Sequence, residues 1–316
     1  MSILYKDEDF AIHQRTKVIF WLVVICIIWG STWLAIKVGL ATVPPLLAAA
    51  LRFILASVIL YVMMVVRKER LPSGRVFKRL TVFLGVMAFG IPYALVYWGQ
   101  KLIPSALASI LFASYPFFVA LFSHMFLPNE KMNALKVLAV IIGFAGVYVI
   151  FSGEVSLEAD IALGGMAAIV MSAVIQAISL VFLKKHGEPF SPISVNFISM
   201  SIGALLLMVA SIAVEDYSSV SFTNAAVLSI VFLAVFGNVV AFVSYFWLVK
   251  HIEAVLLSMT SFVTPIISVA LGAFVLNETL SPRIFGGATL VLCGILAANG
   301  KDLVRLIANG KALLWD

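Results

Sequence analysis

Residues 98–130, WGQKLIPSALASILFASYPFFVALFSHMFLPNE, and residues 247–278, WLVKHIEAVLLSMTSFVTPIISVALGAFVLNE, are two versions of one text. At an offset of 149, Trp98 falls on Trp247, Lys101 on Lys250, Ile103 on Ile252, Ser109 on Ser258 and Pro116 on Pro265. One residue is then lost, and at an offset of 148 Asn129-Glu130 falls on Asn277-Glu278, Asn133 on Ser281 and Gly146 on Gly294. Apolar residues match easily by chance in hydrophobic stretches, but Trp, Pro, Lys and Glu are scarce in these, so the matches mark an internal repeat.

The composition around the repeat names its solvent. Of the 316 residues 63% are hydrophobic and 11% charged, whereas a soluble domain is roughly a quarter charged. All 15 acidic residues fall between the apolar runs and none at mid-depth of a run. A helix needs about 20 apolar residues to cross the hydrocarbon. That rule gives ten spans, near 18–40, 45–66, 79–100, 104–127, 134–152, 161–183, 192–214, 225–248, 254–276 and 283–300. The fifth and tenth are the shortest and need snorkelling Lys136 and Arg283 or a locally thin bilayer. The expected fold is all-α and integral to the membrane. It has a cytoplasmic segment 1–17, a first five-helix repeat 18–152, a second 161–300 and a cytoplasmic tail 301–316. Because five is odd, the second repeat enters the membrane inverted, as in many secondary transporters.

Charge tests the span count, since ten helices force the loops to alternate sides. With the N-terminus inside, seventeen of the 21 Lys and Arg residues collect on the cytoplasmic side; Lys37, Lys101 and Arg283 stay outside and Arg52 lies within a helix. That asymmetry predicts both termini in the cytoplasm and a plasma-membrane protein, in the inner membrane if the cell is bacterial. The net charge of +6 reflects these flanking cations and is not a nucleic-acid signal. Asp7, Glu8 and Asp9, with no small-residue cleavage site after the first run, argue against a cleaved leader. Cys26 and Cys293 sit inside apolar runs, so neither a disulfide nor a metal site is expected, and no cofactor is implied.

Several elements together resemble the drug/metabolite transporter superfamily, and within it the EamA family. They are Trp29-Gly30-Ser31, Lys37, Leu51-Arg52-Phe53, Pro116 followed by Asn129-Glu130, and the echoes Pro265 and Asn277-Glu278. The resemblance covers about residues 18–300. It implies a ten-helix exporter or exchanger of small metabolites, amino acids and their relatives among them, with a central cavity between the halves. Arg52 has no basic counterpart near Ser199 or Met200, so the charge symmetry fails there.

The residues supply their own candidates. Pro116 and Pro265 lie mid-helix in equivalent helices and each crowds the carbonyl four residues earlier, at Phe112 and Ser261. Two readings stand, a static kink and a paired hinge for alternating access. Arg52 lies about 10 Å inside the second helix, where an intramembrane Arg finds an acceptor or a substrate carboxylate. Trp29, Tyr93, Tyr97, Gln176, Asn238 and Phe242 suit the wall of a cavity for an amphipathic small molecule, against the alternative of interhelical packing. Trp29 matches Gln176 at an offset of 147, and Tyr93 and Tyr97 stand one turn apart, a spacing repeated by Asn238 and Phe242. Lys37 with Glu278 at the outer face, and Lys184 with Glu130 at the inner, form candidate gates; the plainer reading makes each a helix-end residue. His124 is the one histidine in a span. A membrane enzyme is disfavoured because paired intramembrane acids and H-E-x-x-H are lacking. A receptor or scaffold remains as the rival to a transporter.

Overall fold

The computed structural model describes residues 2–127, 134–151, 159–252, 254–258, 260–279 and 281–309, and among these there is helix and no strand. The helices are α1 (Ser2–Gly39), α2 (Pro45–Val66), α3 (Arg75–Leu102), α4 (Ser105–Phe126), α5 (Ala134–Phe151), α6 (Ala159–His186), α7 (Pro192–Val214) and α8 (Asn224–Val249). A short helix, Ala254–Ser258, precedes α9 (Thr260–Leu276) and α10 (Pro282–Asn309). Seven segments, lying in α1–α4 and α6–α8, are long and apolar enough to cross a membrane, and shorter apolar helices occupy Ile141–Ile150 and Val263–Leu276. Glu130 of the inner gate lies outside the described residues.

Large apolar side chains cover the outside as well as the core, and several polar ones are buried, unlike a soluble protein. Phe274 is 87% exposed and Ile212 68%, whereas Arg52, Gln100, Asn196 and Asn238 are buried. Lipid replaces water around the bundle, so the polar side chains must satisfy one another within it.

Glycines set how closely the helices approach. A Cβ on Gly146 of α5 would stand 2.6 Å from the Gly287 carbonyl of α10, and one on Gly99 of α3 would stand 2.8 Å from the Gly165 carbonyl of α6. Gly30 does the same for α1, where Ile267 of α9 fills the space. Without a hydrophobic drive between helices in lipid, such close packing is one of the attractions available, beside interhelical hydrogen bonds.

Acids tie the helix ends. Glu215, at the end of α7, accepts from the Leu46 and Leu47 amides at 2.7 and 2.9 Å, where Pro45 opens α2. Beyond the other end of α2, Glu69 accepts from Ser191, the N-cap residue of α7, at 2.7 Å. The two helices are therefore antiparallel partners, each pinned by an acid from the other's far end. A carboxylate at a helix start satisfies orphan amides and the positive end of the dipole.

Candidate functional site

The cavity lies where α1, α3, α6 and α8 converge, with about 100 Å³ of free volume. Its wall includes Trp29, Arg52, Tyr93, Gln176 and Phe242, five of the seven residues predicted for it. The other two, Tyr97 and Asn238, stand behind the wall and hold Arg52 in place. The Arg52 guanidinium donates to the Tyr97 hydroxyl at 3.2 Å and to the Asn238 side-chain oxygen. Asn238 in turn donates to the Arg52 carbonyl at 3.4 Å. The guanidinium also lies 5.1 Å from the Tyr93 ring centre and 5.2 Å from that of Phe53. Arg52 is only 2% exposed, so it does not snorkel.

The backbone is shaped for this. Both α3 and α8 widen to a π-helix at equivalent places, Gly85–Gly90 and Leu233–Val240. A π turn shifts the hydrogen-bond register and is frequent at functional sites. Here carbonyls in the widened turns receive bonds from across the cavity: Trp29 donates its indole N–H to Gly237 at 3.3 Å, and Ser179 donates to Met87 at 2.7 Å. A Cβ at Gly237 would press on Thr32 and on the Arg52 guanidinium at 3.1 and 3.2 Å. Trp29-Gly30-Ser31 thus divides its labour: Trp faces the cavity, Gly receives Ile267, and Ser bonds back to the Ile27 and Ile28 carbonyls.

Several wall residues were not anticipated. Tyr115 and Tyr245 share a hydroxyl–hydroxyl bond of 2.9 Å across the cavity, and nothing in their local sequence points to the pairing. Trp33 could have been found, because it follows Trp29 by one helical turn.

The three described residues of the predicted gates, Lys37, Lys184 and Glu278, act on helix ends. Lys37 donates to the Gln100 and Ile103 carbonyls at 2.8 and 2.9 Å. Lys184 donates to the Val249 and Ile252 carbonyls at 2.5 and 2.6 Å. Each set of acceptors is displaced by 149 residues from the other, the repeat offset. Glu278 accepts from the Ser105 and Ala106 amides at 2.8 and 3.0 Å and from the Ser105 hydroxyl. The turn between α3 and α4 is therefore held by a cation on its carbonyl side and an anion on its amide side.

The Asn-Glu pair has a local cause. Asn277 adopts a left-handed φ of 54°, which asparagine tolerates, and the chain turns so that the Glu278 amide bonds the Gly272 carbonyl at 3.0 Å. Lys68-Glu69 uses the same device, with φ 53° at Lys68 and the Glu69 amide on Met64. In both, a left-handed residue aims the following Glu at another helix's start.

The prolines differ. α4 is interrupted at Ala113–Ser114, and Pro116 sits in the first turn after the break. Pro265 lies inside α9, which runs on through it. His124 is exposed near the end of α4.

A helical bundle with apolar flanks, close glycine contacts and an aromatic cavity around one buried cation has the construction of a membrane transport protein. The chain belongs to the EamA-like transporter family, whose profile matches it twice, over residues 16–152 and 163–300. It is 30% identical over 280 residues to the uncharacterized transporter YoaV of Bacillus subtilis, covering 88% of this chain and 95% of that one. To the uncharacterized inner membrane transporter YedA of Escherichia coli K12 it is 27% identical, covering 88% and 89%. A solved crystal structure of 22% identity has the same fold, with a TM-score of 0.69 over 91% of this chain and 98% of its own. The family match and the apolar helices make this chain a multi-pass membrane transporter.

Proposed function

We propose that the protein is a secondary transporter that exports or exchanges small amphipathic metabolites, the class that includes amino acids and their relatives, by alternating access between two inverted five-helix repeats. The observation that carries this reading is the equivalence of Lys37 and Lys184, which bind helix-end carbonyls 149 residues apart at opposite ends of the central cavity. A pair of equivalent closures around one site is what alternating access uses. The antiparallel pairing of α2 with α7, repeat equivalents of each other, supports the inversion and with it ten crossings.

Pro116 and Pro265 serve as hinges: Pro116 follows the break in α4 at Ala113–Ser114, and Pro265 lies within Thr260–Leu276. Lys37 and Glu278 latch one end. Lys184 latches the other, joined, by sequence equivalence to Glu278, by Glu130. The chain sits in the plasma membrane with both termini cytoplasmic, and transport is uncoupled from protons because no acid occupies a span.

The test is a thermal-shift screen against a metabolite panel, followed by counterflow of the hits in proteoliposomes with and without a proton gradient. Counterflow that survives collapse of the gradient is expected. Ligands that bind but are never moved would make the protein a receptor, and rates that vanish with the gradient would turn attention to His124.

A further inference from the structure

We infer that the cavity selects small organic anions, carboxylates on a flat apolar body, over zwitterionic amino acids and over amines. This narrows the substrate class proposed above and rests on that reading for transport, though not for binding.

The inference starts from an imbalance of charge. Arg52 lines the cavity, is 2% exposed, and among the described residues has only neutral hydrogen-bond partners, the Tyr97 hydroxyl and the Asn238 amide oxygen. Its Nε has no hydrogen-bond partner. Among the described residues no Asp or Glu lines the cavity, and no acid of the whole sequence falls inside an apolar run. A guanidinium is charged at any physiological pH and offers five donors in a planar fork. Buried without a counter-ion, it carries an unrecovered desolvation cost. A ligand carboxylate would supply both the missing charge and acceptors for the fork.

The same imbalance acts against an ammonium. In an α-amino acid the ammonium stands next to the carboxylate, so docking the carboxylate on Arg52 brings a second cation close to the first with no acid to hold it. The aromatic faces nearest the site offer little compensation, because Phe53, Tyr93 and Tyr97 already lie within 5.9 Å of the guanidinium. What remains is an apolar box of Trp29, Phe112, Phe242 and Phe246, which suits a planar ring. A deaminated aromatic acid meets every one of these features and the parent amino acid does not.

Four ligands of one shape but different charge test this on the purified full chain: 3-phenylpropanoate, phenylalanine, 3-phenylpropanamide and phenethylamine. Calorimetry should rank the anion at least tenfold tighter than the zwitterion and the amide, with the amine weakest. Arg52→Gln should abolish the anion's advantage, lowering anion binding at least tenfold and amide binding by a smaller factor. Arg52→Lys should keep the preference for the anion with weaker binding, because charge survives and the fork is lost; it serves if the Gln variant fails to fold. Equal or tighter binding of phenylalanine or the amine, or no binding of any of the four, would overturn the inference. Counterflow separates the two readings. Selective anion binding without transport would sink the transporter reading alone, and transport indifferent to charge would sink the inference alone.

Discussion

Under the proposed latch of Lys37 and Glu278, replacing Glu278 with Gln should open that end of the cavity. The carboxylate accepts from two amides and a hydroxyl at the start of α4, at 2.8 to 3.0 Å. Glutamine keeps the length but loses the charge and one acceptor oxygen. Loss of a helix N-cap costs about 0.5–2 kcal/mol, and the lost interaction of charge with dipole adds up to about 1 kcal/mol at such a site. A net loss of roughly 1–2 kcal/mol, felt only when this end is closed, shifts the two-state equilibrium about 5- to 30-fold toward opening. Thr32 lines the cavity, so Thr32→Cys in a background lacking Cys26 and Cys293 reports the change through its labelling rate with an impermeant maleimide added from outside. The rate should rise by that factor in Glu278→Gln and by less in Ser105→Ala, which removes only the hydroxyl contact. A folded Glu278→Gln protein that labels at the unchanged or a lower rate would refute the latch.

Three further outcomes are expected. Gly146→Val should lower thermal stability by about 1–3 kcal/mol through overpacking, because its Cβ would meet backbone atoms of Gly287 and Val291 at 2.6 and 2.8 Å; Gly286→Ala, where nothing lies within 4 Å, should cost nothing, and equal losses would discount the α5–α10 contact. Asn277→Gly should leave stability and transport close to those of the parent, since φ there is 54°, while Asn277→Val should reproduce the labelling of Glu278→Gln by misaiming the acid. A reporter fused after residue 316 should read cytoplasm and one within 154–160 the outside; matching signals would refute the span count and exchanged signals the orientation.

Much of this architecture is written in the order of the residues, because lipid leaves a helix few options. Once backbone groups must be satisfied within each segment, apolar length marks where helices run, and the loop cations carry the expectation for their direction. Scarce residues recurring at offsets of 149 and 148 reveal the duplication. Trp29, Tyr93, Gln176 and Phe242 were expected at a cavity as polar and aromatic groups at mid-depth, and all four line it. Distances through space were not legible. Nothing local says that Arg52 finds Asn238, 186 residues away, or that Tyr115 meets Tyr245. The sequence placed Lys37 and Glu278 at one door as opposite charges, whereas the folded chain gives one to carbonyls and the other to amides of a single turn. That choice belongs to tertiary structure, since a helix end exposes unpaired groups whose donor depends on which neighbour packs there. Composition and periodicity mark the chain as helical and lipid-embedded, and the recurring residues mark it as two copies of one unit. Packing alone decided that the buried Arg52 meets neutral partners, Tyr97 and Asn238, among the described residues, because which side chains face each other at mid-depth depends on which helices pack together.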